Sequence, residues 1–130
     1  MPLRLLIADD NEIVRVAMRI YLKKKHEWEI CGDAENGREA IAKVGDLSPD
    51  VVLLDLSMPV MNGFEAAAEI RRVAPLTKII LFSIHDVPTA VSEVGADAFV
   101  SKSTSVAELI ATIERVTGQS QGIRTSSKSA

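Results

Sequence analysis

Asp9, Asp10, Asp55, Ser83 and Lys102 are the residues whose types could do chemistry together, and each follows an apolar run. Val51-Val52-Leu53-Leu54 runs without a break and stops at Asp55, with Pro49 and Asp50 before it and Pro59 after it. A short continuous apolar run between turn signals reads as a strand buried on both faces. Leu3 to Ala8 is a second run and meets Asp9 and Asp10. Ile79 to Phe82 meets Ser83, and Ala98-Phe99-Val100 leads into Ser101 and Lys102. Each residue alone has an ordinary reading. An Asp after a strand commonly caps a helix or closes a turn, and Asp10 is expected to cap the helix that follows it. Ser83 alone is a strand-end hydroxyl, and Lys102 alone is a solvated lysine. Five polar groups at the same end of four strands are harder to assign to chance.

The elements that must position these groups alternate along the chain. Asn11 to about Lys25 reads as a helix, with Val14, Ala17, Met18 and Tyr21 at helical spacing and Lys23, Lys24 and Lys25 on the last turn. Trp28 to Ala34 reads as a strand. Asn36 with Glu39 forms a capping-box pattern before a helix that buries Ala40, Ile41 and Val44 and ends near Gly45. After Asp55, Asn62-Gly63 opens a helix carrying Phe64, Ala67, Ile70, Val73 and Ala74 on one side, and Pro75 ends it. Asp86 and Pro88 suit the start of a short fourth helix that Gly95 stops. Ser105 with Glu108 caps a last helix with Val106, Leu109, Ile110, Ile113 and Val116 on one face. Alternating strands and helices predict an α/β fold, a doubly wound parallel sheet with helices on both faces.

In the flavodoxin-like (βα)5 order 2-1-3-4-5, the first and third strands are neighbours at the topological switch point, and ligands bind beyond their carboxyl ends. Asp9, Asp10 and Asp55 then converge in one crevice. Three carboxylates that close repel one another, and folding gives no reason to gather them. A hard cation does. Mg²⁺ takes oxygen ligands and favours one or two carboxylates, waters and a phosphate oxygen. A lysine and a hydroxyl on the opposite rim complement phosphate oxygens. Metal on one side, ammonium on the other and a carboxylate between them make a device for phosphoryl transfer to Asp.

Composition narrows the class. The chain has 130 residues, the size of one domain, and its 47% hydrophobic content can fill a core. The net charge of -3 argues against a nucleic-acid surface. No apolar run approaches membrane-spanning length, and the first run meets Asp9 too soon for a signal peptide. The lone Cys31 suits a reducing cytoplasm and reads as a small core residue. From Gly118 to Ala130 the chain is polar, with Ile123 its one large apolar residue, and is expected to be a flexible tail. The expected organisation is a folded domain over 1–117 and a tail over 118–130, with no helix-turn-helix domain.

Several stretches carry a family resemblance: Ile7-Ala8-Asp9-Asp10, Asp55-Leu56-Ser57-Met58-Pro59-Val60-Met61-Asn62-Gly63, Phe82-Ser83, and Gly95 to Lys102. The chain resembles a response-regulator receiver domain of two-component signalling, of the NarL/FixJ type, over Leu3 to about Thr117. The resemblance implies that Asp55 accepts a phosphoryl group from a phosphohistidine on a histidine kinase or phosphotransfer protein. It implies Mg²⁺ on Asp9, Asp10, Asp55 and the backbone carbonyl of Ser57. Lys102 would pair with the acyl phosphate. Ser83 would move to a phosphate oxygen, and Phe99 would then turn inward as the switch. The alternative for Phe99 is a plain core aromatic. Ser57 and His85 flank the site, where family members vary.

Two departures from the family stand out. Ser103 follows Lys102 where many receivers have a proline, which questions the usual cis peptide there. The span from Ser83 to Lys102 is shorter by about one helical turn, roughly four residues, a loss that falls on the fourth helix. The expectation is a phosphoacceptor in a phosphorelay, not an enzyme beyond its own phosphorylation and dephosphorylation. It would signal to an effector protein or by self-association, without direct nucleic-acid or membrane binding. The alternatives are a phosphorylation-independent receiver-like adaptor and, from another class, a dehalogenase-like phosphohydrolase. The latter needs a second carboxylate two residues after Asp55, where Ser57 stands. A flavodoxin proper would carry a phosphate loop after the first strand, where Asp9-Asp10-Asn11 would repel the phosphate.

Overall fold

Side-chain alternation at period two splits the inner strands between two cores. In β1 (Arg4–Ala8), Leu5 and Ile7 point to one face of the sheet and Leu6 and Ala8 to the other. In β3 (Val51–Asp55), Val51 and Leu53 join the first pair, and Val52 and Leu54 the second. Every residue of β3 is buried, as its unbroken apolar run predicts. The computed structural model describes residues 2–25, 27–84 and 95–118. With β2 (Glu29–Ala34), β4 (Lys78–Ser83) and β5 (Ala98–Ser101), the strands form one parallel sheet in the order β2-β1-β3-β4-β5. That is the flavodoxin-like order expected from the sequence.

Helices cover both faces. α1 (Glu12–Lys25) and α4 (Val106–Thr117) lie over Leu5, Ile7, Val51, Leu53, Ile80 and Val100, while α2 (Gly37–Leu47) and α3 (Gly63–Val73) cover the other face. α4 is the last of the five expected helices. The expected short fourth helix, and with it the predicted shortening, lies outside the described residues, as do His26, His85 and the polar tail from residue 119 onward. Among the described residues no peptide bond is cis. None of the described helices is long and apolar enough to cross a membrane.

The helix faces differ from expectation in instructive places. α1 buries Met18 and Leu22, whereas Tyr21 stands half exposed. Apolar residues flank the stripe of Glu12, Arg15, Arg19 and Lys23 on both sides, with Ile13, Val16 and Ile20 all exposed, so spacing admits two apolar stripes and packing selects one. In α3, Ala66, Ala67 and Ile70 are buried but Val73 at the last turn is exposed. α2 runs past Gly45 to Leu47, and Ser48 ends it in the left-handed conformation. Its cap is half of the expected box. Asn36 accepts from the N–H of Glu39, but the Glu39 carboxylate turns to the N–H of Glu35. The full reciprocal box is at α3, between Asn62 and Glu65.

The connection from β3 to α3 is tight for two reasons. Val60 sits at φ 69, and the N–H of Met61 reaches back 2.6 Å to the carbonyl of Pro59, closing a three-residue turn. Gly63 then passes close to the end of β3. A Cβ there would collide with the Asp55 carbonyl and come within 2.8 Å of the Leu56 Cα. The requirement for glycine is therefore close approach to the strand that carries Asp55. Gly63→Ala should cost about 1–3 kcal/mol by overpacking, read as a lower midpoint in a denaturant melt. An unchanged midpoint would mean that the end of β3 yields freely.

Candidate functional site

The rim is assembled by strand order. β1 and β3 are paired through Ala8 and Leu54, so Asp9 and Asp55 leave the sheet side by side. Asp55 lies beside Phe82 in the β3–β4 register, and Ser83 lies beside Ser101 in the β4–β5 register. The N–H of Lys102 donates to the Ser83 carbonyl at 2.7 Å and carries the pairing one residue further. Lys102 thereby reaches back across the rim. Its Nζ donates to Asp9 Oδ2 at 2.6 Å and lies 3.3 Å from Asp55 Oδ1 and 5.6 Å from the centre of the Phe82 ring.

The carboxylates are held individually. Asp9 is only 2% exposed, and its Oδ1 accepts the N–H of Asn11 at 2.9 Å. Asp55 is 6% exposed and accepts the backbone N–H of Ser57. The expected helix cap is not Asp10. Asn11 does that work, its Oδ1 accepting the N–H groups of Ile13 and Val14 at 2.9 and 3.3 Å. Among the described residues no hydrogen bond or ion pair engages the Asp10 carboxylate. One oxygen from each of Asp9, Asp10 and Asp55 lies within 4.8 Å of the others.

Burial raises the Asp55 pKa above the ordinary carboxylate value, and the neighbouring Asp9 charge raises it further. The Lys102 ammonium and the Ser57 N–H oppose that shift without cancelling it. One ammonium thus faces three carboxylates, and the rim retains excess negative charge. All the donors are hard oxygens, one carboxylate is solvent-facing and two are buried, a set that fits a hard divalent cation.

Of the residues expected from sequence, Asp9, Asp10, Asp55 and Lys102 come together. Ser83 is 1% exposed at the end of β4, on the next strand from Asp55. Ser57 is exposed in the loop after β3. Phe99 is half-buried on β5 beside Leu81 and packs against the core under α2 and α3. Phe82, below the Lys102 ammonium, is a neighbour of the site that lies outside the set expected from sequence. Its place as the last aromatic of an apolar run, directly before Ser83, is the one signal the sequence offers for it.

Comparison with known proteins agrees with this geometry. The response regulator receiver domain family model matches residues 5–114. The response regulator protein VraR of Staphylococcus saprophyticus is 30% identical over 119 residues, which cover 88% of this chain and 56% of that protein. A crystal structure of a LuxR-family two-component response regulator from Aurantimonas sp. SI85-9A1 superposes with a TM-score of 0.84 at 30% identity, covering 91% of this chain and 86% of that one. A LuxR-family DNA-binding response regulator from Staphylococcus aureus gives 0.81 at 35% identity, covering 88% and 98%. The chain spans little more than half the length of the VraR proteins it matches.

The raised Asp55 pKa sets a pH dependence. A carboxyl whose folded-state pKa exceeds its unfolded value gives stability that is fully present below the unfolded pKa and lost as pH rises through the folded one. Asp55→Asn removes that loss. In chelator-treated buffer, Asp55→Asn should melt higher than wild type at neutral pH. The gap should close as pH falls towards the unfolded carboxylate range. A variant that melts lower at neutral pH would show that Lys102 outweighs burial and Asp9.

Proposed function

The chain belongs to the response-regulator receiver family, and from that premise we propose that it is a phosphoacceptor whose acceptor is Asp55. The observation that carries this reading is Lys102 spanning Asp9 and Asp55 across an acidic crevice at the strand ends. The Asp55 carboxylate oxygen attacks the phosphorus of a phosphohistidine on a histidine kinase or phosphotransfer protein. A P–O bond forms, the N–P bond breaks, and the electron pair leaves on the donor imidazole. Burial that raises the basicity of Asp55 also makes its oxygen a better nucleophile than an ordinary carboxylate.

Asp9, Asp10, Asp55 and the backbone carbonyl of Ser57 are the groups that would hold Mg²⁺. The ion would supply positive charge to offset that of the phosphoryl oxygens. Lys102 begins on Asp9 and Asp55, so its ammonium is already where a new acyl phosphate would need neutralising. Ser83 would donate its hydroxyl to a phosphate oxygen. Phe99, half-buried one strand away, would repack in response. A phosphoryl group that contacts Lys102 and Ser83 better in one state shifts the population towards that state. Output then passes to an effector protein or to self-association. We assign the receiver to residues 1–117, with 118–130 as a polar tail, and place the exchange in the cytoplasm. Chemistry beyond the protein's own phosphorylation and dephosphorylation forms no part of this reading.

Intact-protein mass spectrometry tests it, after incubation with a small acyl-phosphate donor or a phosphohistidine protein. One phosphate adduct is expected with Mg²⁺, and none with chelator or in Asp55→Asn. Mg²⁺ at a hundredfold excess over its dissociation constant should also stabilise the fold by about 2.7 kcal/mol. No adduct from either donor would overturn the proposal in favour of a phosphorylation-independent adaptor.

A further inference from the structure

Asp10 presents a problem that the site alone does not solve. It contributes one of the three clustered carboxylates, yet among the described residues no hydrogen bond or ion pair holds its side chain. Its aim therefore depends on the backbone from which it projects, the Asp9–Asp10 peptide. That peptide lies just past the end of the sheet. The β1–β2 ladder stops at the Ala8–Ala34 pair, and the Asp9 N–H takes the last strand-end acceptor, the Ala34 carbonyl, at 2.9 Å. The next carbonyl, that of Asp9, lies beyond the last β1–β2 pair and has no strand partner among the described residues.

Arg15 supplies one. It sits one turn into α1, and its Nη1 donates to the Asp9 carbonyl at 2.7 Å. The guanidinium is oriented by a second contact, since its Nε lies 3.4 Å from Asp33 Oδ2 on β2. Asp33 is itself steadied by Arg19, at 3.0 Å. The Arg15 side chain is only 14% exposed, so the bond is largely shielded from water. The planar fork of an arginine can serve a carbonyl and a carboxylate at once, which the single ammonium of a lysine does less well.

The structure assigns Arg15 as a positioning residue for the cation site, fixing the Asp9–Asp10 peptide so that both carboxylates are aimed before the ion arrives. This inference rests on the reading that Asp9, Asp10 and Asp55 hold a divalent cation. Arg15 touches neither the cation nor the phosphoryl group in this scheme. It acts through a main-chain carbonyl. Outer-shell partners of this kind typically contribute 10–100-fold to metal affinity.

Charge and positioning predict opposite signs, which makes the idea testable. A guanidinium near the crevice repels a divalent cation, so its removal by charge alone would tighten binding. Loss of positioning would weaken it. Calorimetric titration with MgCl₂ on wild type, Arg15→Met and Arg15→Lys separates the two, with circular dichroism confirming that each variant is folded. Arg15→Met keeps the apolar stem and is expected to bind Mg²⁺ about tenfold more weakly. Arg15→Lys keeps the charge but not the fork and should fall between the two. Equal or tighter binding by Arg15→Met would overturn the assignment. If that variant does not fold, Arg15→Lys decides, and wild-type affinity there would overturn it. Absence of Mg²⁺ binding by wild type would instead overturn the cation-site reading on which the inference stands.

Discussion

The contact between Lys102 and the two buried aspartates is the constraint around which the rest is arranged. Asp9 and Asp55 are nearly sealed from solvent at adjacent strand ends, where like charges repel through a medium that screens poorly. A single ammonium from the far side of the sheet stands against that repulsion. Removing Lys102 would leave two buried carboxylates without compensation. The contact joins residues 93 positions apart, so it exists only when β1, β3, β4 and β5 are all in register. It also leaves the crevice with an excess of negative charge, which is the property a cation and a phosphoryl group can exploit together.

The scaffold keeps that rim rigid while leaving it open. Two separate cores, one on each face of the sheet, fix the strands from both sides. Gly63 lets α3 begin against the end of β3, and the capping box between Asn62 and Glu65 secures that start. On the other side, Arg71 ties α3 to the entrance of β5. Its Nε donates to the Gly95 carbonyl at 2.8 Å, and its Nη2 meets Asp97 at 2.6 Å. Asp97 in turn accepts the N–H of Ile79 at 2.8 Å. Lys102 leaves β5 only after that strand has been anchored at its beginning. Side chains at the ends of rigid strands hold their relative positions better than side chains on loops.

The exposed turn after β3 shows a local rule giving way. Val60 adopts a positive φ that a β-branched residue rarely takes. The conformation is held from both sides: Met61 bonds back to Pro59 and gives its carbonyl to the N–H of Gly37 at 3.0 Å. That last bond also ties the loop to the first turn of α2. Strain of this kind persists where neighbouring structure over-determines the backbone, and here it lies five residues from the proposed acceptor.

The sequence by itself determined the strands, their order through the flavodoxin-like pattern of alternating strands and helices, and the four groups that converge. Unbroken apolar runs ending in polar residues leave little freedom about where a parallel strand begins and which end faces the ligand. Caps were half legible, because Asn, Ser and Glu at the right spacing mark a helix start but do not say which donor each carboxylate meets. Only the tertiary structure decided between Tyr21 and Leu22 in α1, since a helix with apolar residues on either side of its polar stripe takes its buried face from the sheet it meets. It also decided that Asn11 and not Asp10 caps that helix, leaving Asp10 for the crevice. The reason for Gly63 was likewise invisible, because close approach between α3 and β3 is a distance across space. So too was Arg15, whose partners are a carbonyl at the end of one strand and a carboxylate on another. Periodicity and spacing report what one element wants. Which atoms meet between elements is settled by packing.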